Sequence, residues 1–335
     1  MSEHVVTRSS RVSRIAMIIG LLALIVLAAA PWWAGRADMR LMGEIYLYLS
    51  LACLWNLMAG YAGLVSVGQQ AYVGFGGYML FALTVFGGLN PIAAIIVGAF
   101  LAAALSVPIA TLIFRLKGAY FAIGTWVVAE VFRLSFAQIQ ALGGGSGSSL
   151  PVAIVKELGA KKAAREAMSY WLALGAAALV ILAVYLFLRS RRGLALTAIR
   201  DSEVAANGLG IDIWRTKLEV YVVTSALTAM IGGLIFLQKL RISPDAAFSV
   251  NDWTAFVIFI VVIGGIGTLE GPIIGTLLFF ALREVLADYG TIYLLVLGLV
   301  AIVVMLKAPK GVWGLIRERY DLEFFPLSYR VRRKD

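Results

Sequence analysis

Apolar runs of about 20 residues follow one another along the chain, separated by short polar stretches rich in Gly, Ser, Lys and Arg. A helix crossing a membrane hydrocarbon core needs about 20 mostly apolar residues, somewhat fewer or more with tilt. On that basis ten spans are expected, at 15–33, 44–63, 66–86, 91–114, 119–139, 168–188, 216–238, 252–267, 271–288 and 290–307. The first run ends in AAAPWWAG and has the outline of a secretory leader. It reads as an uncleaved helix, because Pro31 and two tryptophans suit an interfacial helix end.

Outside the spans lie residues 1–14, an outer loop at about 140–167, a helical loop at about 193–215 and a basic tail at 308–335. The outer loop opens on GGGSGSS, which reads as flexible, and continues with Ala, Lys and Glu, including Glu157 and Lys161 at helical spacing. It serves either as a connector or as a docking surface for an external partner. In the tail, Trp313, Leu315 and Ile316 are expected along the inner leaflet surface, with arginines towards anionic lipid.

Composition supports this reading. Of 335 residues, 61% are hydrophobic and 14% charged, where a soluble domain carries about 25% charged residues. The expected fold class is an all-α polytopic membrane protein of about ten transmembrane helices. The net charge of +10 refines the topology. With the N-terminus inside, 19 of the 29 Lys and Arg fall in cytoplasmic segments and eight outside, so both termini are expected to be cytoplasmic. Distributed in this way, the charge is a topology signal and points to no nucleic-acid partner.

Chemistry-bearing motifs are scarce. The chain holds one cysteine, Cys53, expected to be a buried apolar residue, and one histidine, His4. It has no GxxxxGK[ST] loop, no HExxH and no GxSxG, so neither a catalytic residue nor a metal site is expected, and no nucleotide loop of its own. A proton-coupled carrier needs a carboxylate deep in the membrane. Glu130 is the one candidate, and Arg133 stands one helical turn away to pair with it.

Three stretches depart from a plain lipid-facing pattern. In GLVSVGQQAYVGFGGY (63–78), Ser66, Gln70, Gly74 and Gly77 would form one stripe on a helix, with Gln69 beside it. Such a stripe serves either close helix packing or a polar lining to a path. Ser66, Gln69, Gln70, Tyr72 and Gly74 are the candidate path residues. In VIGGIGTLEGPIIGTLL (262–278), Gly264, Gly265, Gly267 and Gly271 imply a tight turn, with Pro272 in the first turn of the next helix. In RSRRGLALTAIRDSEVAANGLGIDIWR (189–215), Asp201 or Ser202 can cap a helix starting at Glu203, and Gly208 and Gly210 are stops. Ala205 and Ala206 are expected on the surface of that helix pair, where small residues allow another protein to approach closely. From the residues alone, an ATP-coupled permease and a stand-alone carrier or channel both remain open.

Together, NLMAGYAGLVSVGQQAYVGFGGYM (56–79), GLALTAIRDSEVAANGLGIDIWRTK (193–217) and VIGGIGTLEGPIIGTLL followed by MLKAPKGVWGL resemble the LivM-type membrane permeases of branched-chain amino-acid ABC importers. The resemblance spans roughly residues 40–316 and implies an ABC-importer permease architecture in a bacterial plasma (inner) membrane. It implies a second, similar permease, two cytoplasmic ATPase subunits that hold ATP and magnesium, and an external solute-binding protein. Arg200, Asp201, Glu203, Ala205, Ala206 and Gly210 match the family's coupling loop, which fits into the ATPase. Related permeases for urea and other small amides share these motifs, so the resemblance leaves the solute open.

Overall fold

The computed structural model of the chain describes residues 4–7, 11–157, 161–286, 292–308, 310–320, 324–325 and 330–333. Strand β1 (His4–Thr7) precedes α1 (Arg11–Ala28), α2 (Ala30–Trp33) and α3 (Arg36–Asn56), and α3 continues through a π turn at Leu57–Tyr61. After a non-helical stretch come α4 (Gln69–Val85), α5 (Pro91–Ile113) and α6 (Ala119–Ala137). The outer loop carries β2 (Ser148–Ser149) and α7 (Val152–Glu157). Then follow α8 (Lys162–Arg189), α9 (Arg191–Asp201), α10 (Glu203–Gly208) and α11 (Ile213–Lys239). The last part comprises β3 (Arg241–Ile242), α12 (Pro244–Ala247), a π turn at Asn251–Ala255, α13 (Phe256–Gly264), α14 (Glu270–Leu286), α15 (Ile292–Lys307), α16 (Gly311–Tyr320) and β4 (Arg330–Arg333).

The chain is an all-α polytopic membrane protein. Among the described residues, seven helical stretches are long and apolar enough to cross a membrane: Arg36–Tyr61, Pro91–Ile113, Ala119–Ala137, Lys162–Arg189, Ile213–Lys239, Pro244–Gly264 and Leu295–Tyr320. The other three expected spans correspond to α1, α4 and α14, of 18, 17 and 17 residues. At a rise of 1.5 Å per residue, α4 is only about 26 Å long, short of a hydrocarbon core of about 30 Å. It does not need that length, because 13 of its 17 residues are buried in protein. Helix α6 is the opposite case, with only 17% of its apolar window buried in protein.

The core is built on α11, which packs along both α4 and α5, while α3 packs on α8 and α13 on α14. Glycine sets the closest of these approaches. A Cβ added at Gly76 would overlap the carbonyl oxygen of Ala229, and one at Gly232 would overlap that of Val73. Helices α4 and α11 therefore meet backbone to backbone, the arrangement small residues permit in membranes. Gly77 and Gly74 receive the rings of Phe236 and Phe248 instead.

Several boundaries differ from the sequence reading. The first expected span divides at Ala29 into α1 and α2. Helix α8 begins at Lys162 and not at 168, because Glu166 in its first turns faces Arg36 and Arg40 at 3.4 and 3.0 Å. The eighth span runs Pro244–Gly264 and ends where Gly265 takes a φ of +132°, which no helix continues. The glycine-rich outer loop is not a free tether: β2 pairs antiparallel with β3, and Leu150 N donates to Leu240 O at 3.0 Å. Glu157 ends α7 and Lys161 is the N-cap of α8, and residues 158–160 between them lie outside the described residues. Trp313 is buried against Phe324, ring centroids 4.8 Å apart, and does not lie on the leaflet surface, whereas Leu315 is exposed. Cys53 is buried. The antiparallel pairing of β1 with β4 brings the two terminal segments together.

The α4–α11 contact yields a prediction. Gly76→Val is expected to destabilise the purified protein by about 3 kcal/mol or more, since a backbone rather than a side chain must give way. Gly175→Val, with nothing within 4 Å of the added carbon, is expected to stay within about 0.5 kcal/mol. Thermal unfolding in detergent compares the two, and equal midpoints would contradict the packing role.

Candidate functional site

The stretch that begins at Gly63 is a helix interrupted inside the protein. Helix α3 widens into the π turn at Leu57–Tyr61, Gly63 turns the chain with φ +68°, and regular helix resumes at Gln69. Lipid cannot satisfy the backbone groups freed by such a break, so protein must do it. Trp55 Nε1 donates to Ser66 O at 2.8 Å, Val67 N to Thr125 Oγ1 at 3.0 Å, and Gly68 N to Ser66 Oγ at 3.1 Å. Ser66 thus belongs to the break and not to a helical stripe.

This changes which candidate path residues meet. Gln69 and Tyr72, one turn apart, share a face of α4 with Ser66 beneath them, and together they line a small cavity of buried residues against α11. The facing wall is a polar stripe on α11, Tyr221, Thr224, Ser225 and Thr228. Tyr72 donates to the Tyr221 hydroxyl at 2.9 Å, and Gln69 Nε2 donates to Leu51 O at 3.0 Å. Gln69 Oε1 is buried without a partner among the described residues. The cavity measures about 10 Å³, the room of about one water. Gln70 and Gly74 turn to a different face, as 100° per residue requires. Gln70 Oε1 accepts a hydrogen bond from Thr254, and Gly74 abuts Phe248. The α11 stripe escaped the sequence reading, although its spacing of small hydroxyl residues within an apolar run is the signal used for Ser66 and Gln70.

Beneath the break sits the helical loop. Ser202 caps α10 by accepting from Ala205 N at 3.2 Å, and the chain leaves through Gly210 at φ +79°. Glu203 forms an ion pair with Lys217. Ala205 is exposed but Ala206 is buried, because the short helix turns that face down onto the protein. The outward knobs are Val204 and Leu209, 86% and 78% exposed, which sequence reasoning passed over. Two exposed apolar residues on a short polar hairpin were the available signal.

Arg200 ties this loop to the break. Its Nη1 donates to Gly60 O at 3.0 Å, while Nε and Nη2 hold Asp201 Oδ1 at 3.1 and 3.0 Å. Gly60 lies in the π turn, and a side chain there would come within 2.6 Å of Gly267 N. Asn56, at the end of α3, clasps the α13–α14 turn, accepting from Gly267 N at 2.8 Å and donating to Thr268 O at 2.7 Å. Gly264 and Gly271 pack without room for a side chain, Gly265 approaches Lys310 O, and Pro272 stands in the first turn of α14. Four elements therefore converge at one end of the bundle: the end of α3, the break, the α13–α14 turn and the α9–α10 hairpin. A cavity of about 690 Å³ opens there, bordered by Gly63, Phe121, Trp214 and the Glu203–Lys217 pair. The Glu130–Arg133 pair lies elsewhere, on α6, with contacts of 2.6–3.0 Å and a further bond from Arg133 to Asp245.

Comparison with known proteins places this geometry in context. Residues 39–306 match the family described as the permease component of branched-chain amino-acid transport systems. The chain is 28% identical over 326 residues to the high-affinity branched-chain amino-acid transport system permease protein LivM of Escherichia coli K12, covering 90% of this chain and 76% of that one. The LivM of Salmonella typhimurium is 27% identical over the same extent. A probable branched-chain amino-acid permease LivH of Methanocaldococcus jannaschii is 24% identical over 148 residues, 41% of this chain and 45% of its own. No solved structure matches.

The two glutamines differ in what they hold, and stability measurements should separate them. Gln70→Leu strands the buried Thr254 hydroxyl and is expected to cost about 1–3 kcal/mol. Each variant also removes a buried amide atom that has no partner among the described residues, Gln69 Oε1 or Gln70 Nε2, but Gln69→Leu frees only a helical carbonyl, so its cost should be under about 1 kcal/mol. Thermal unfolding of the two variants checks this, and a reversed order would overturn the assignment.

Proposed function

The chain belongs to the family of permease components of branched-chain amino-acid transport systems, and on that premise we propose that it is a membrane permease subunit that carries branched-chain amino acids inward. It works with ATPase subunits on the cytoplasmic side and with an external solute-binding protein, by alternating access. Relatives bearing two permease names, LivM and LivH, support a second, related permease beside it. The Escherichia coli relative supports placement in a bacterial inner membrane. Ten membrane passages with both termini cytoplasmic follow if α1, α4 and α14 pass alongside the seven longer spans. The charge bias and the pairing of β1 with β4 support that topology.

One observation carries the mechanism: the 3.0 Å hydrogen bond from Arg200 to Gly60 O. It joins the hairpin that faces the cytoplasm to the π turn immediately before the interrupted helix. A push on Val204 and Leu209 by an ATPase would reach the break through Arg200 and the Asn56–Gly267 clasp. A broken helix is well suited to respond, since it bends without sacrificing an intact ladder of helical hydrogen bonds. The solute would move along the face that Ser66, Gln69 and Tyr72 present to Thr224 and Ser225. The buried space on that face has room for about one water, and that narrowness supports its reading as the closed middle of an alternating-access carrier. Hydroxyl and amide groups suit the charged ends of a zwitterion in transit without binding it too tightly.

Glu203→Lys replaces the Lys217 ion pair by repulsion and should loosen the hairpin. In vesicles holding the permease pair, the ATPases and the binding protein, leucine uptake is expected to fall at least about tenfold, a loss of about 1.4 kcal/mol in coupling. ATP hydrolysis should continue. Wild-type uptake by this variant would remove the hairpin from the coupling mechanism.

A further inference from the structure

At the end of the bundle opposite the hairpin, a second cavity of about 690 Å³ lies among the outer ends of α3, α8, α11, α13 and α14. That volume is in the range of small-molecule sites. Its floor is apolar and buried: Leu47, Tyr48, Ile235 and Trp253 are each no more than 5% exposed. The Tyr48 and Trp253 rings stand 5.9 Å apart.

The charges on its wall fall into two groups. Some are already paired: Arg40 with Glu166 at 3.0 Å, and Arg283 with Glu44 at 2.6 Å. Lys239 and Asp252 are not. Neither side chain is in an ion pair, with the other or with a third residue, among the described residues. Lys239 instead rests its ammonium 4.6 Å from the centre of the Trp253 ring, a cation–π contact that holds it in place but leaves its three donors uncommitted. Asp252 precedes Trp253 in the chain and lines the same cavity, within electrostatic reach of Lys239.

The backbone beside Lys239 is strained. Leu240 has φ +57°, the one non-glycine residue with positive φ among the described residues. A branched apolar side chain gains nothing locally from that conformation. It is kept there by the Leu150 N to Leu240 O bond and the β2–β3 pairing. Strain of this kind persists where the surroundings impose it, and it collects at sites that must hold a group in a set position. Here it fixes the point at which α11 ends and Lys239 leaves the helix.

We propose that this outer cavity is a binding site for a zwitterionic α-amino acid with an apolar side chain. Lys239 receives the carboxylate, Asp252 receives the ammonium, and the side chain lies on the Trp253 and Tyr48 rings. The site rests on the reading of the chain as an amino-acid permease. It also extends that reading, since it gives a solute released outside a place to wait above the closed middle. Ile235 at its floor and Thr228 of the central cavity are two turns apart on α11, so the two cavities lie in line along one helix.

Equilibrium binding tests this on the purified complex of permeases and ATPases, without the binding protein. The probes are leucine, 4-methylpentanoate, which lacks the ammonium, and isopentylamine, which lacks the carboxylate. Leucine is expected to bind the wild type at least about tenfold more tightly than either analogue. Lys239→Met should abolish the preference for leucine over isopentylamine while retaining that over 4-methylpentanoate, and Asp252→Asn should do the reverse. A merely structural role would weaken all three ligands together and so would overturn the proposal. Wild-type preferences in both variants would also overturn it, as would no leucine binding by a complex that still imports leucine with its binding protein. A complex that imports no branched-chain amino acid would instead contradict the functional reading, whatever it binds.

Discussion

A polypeptide that leaves helical geometry within a membrane protein exposes amides and carbonyls that hydrocarbon cannot satisfy. Residues 63–68 do this at the hairpin end of the bundle, and much of the surrounding structure answers that demand. Trp55, Thr125 and Ser66 supply hydrogen bonds to the break itself. Arg200 takes up Gly60 O just before it, and Asn56 clasps the α13–α14 turn alongside. None of these partners is close in sequence to all the others, so the interruption draws five separate segments into one cluster.

Placing that cluster requires α4 to be central, and the glycines accomplish this. Gly76 and Gly232 let α4 and α11 touch along their backbones, which keeps lipid from the break and sets the polar face of α4 against the polar stripe of α11. Packing and polarity are thus served by different faces of one helix. Gly76 belongs to the contact with the α11 backbone, Gln70 and Gly74 to the contacts with Thr254 and Phe248, and Gln69 and Tyr72 to the cavity. The stripe expected from the sequence is divided between helix packing and the wall of a small cavity.

The same helix α11 runs from the hairpin past the small middle cavity to the outer cavity. Lys217 at its start pairs with the hairpin, Thr224 and Ser225 line the middle, and Lys239 at its end reaches the outer cavity. A rigid element that touches all three is a physical means by which displacement at one end can be felt at the other. The Arg200 contact adds a second connection through the π turn, at a place where the helix ladder is already relaxed.

Apolar runs of membrane-spanning length, the arginine and lysine bias and the glycine punctuation are local properties. They sufficed to establish an all-α membrane protein, its helical loop with Ser202 as a cap, and the Glu130–Arg133 pair one turn apart on α6. The motifs at 56–79 and 193–217 carried the family resemblance, since their order and spacing survive in one dimension. Contacts between distant segments were not legible. Helical periodicity treats Ser66 as part of a stripe because nothing nearby reports that Trp55 and Thr125 will satisfy a break there. Ala206 is small and looks available, yet which face of a six-residue helix turns inward depends on the surface beneath it. The partners of Gln69 and Gln70, the meeting of Arg200 with Gly60 O across 140 residues, and the uncommitted charges of Lys239 and Asp252 were decided by tertiary structure. Hydrogen bonds and close packing are short-ranged in space and carry no signature along the chain.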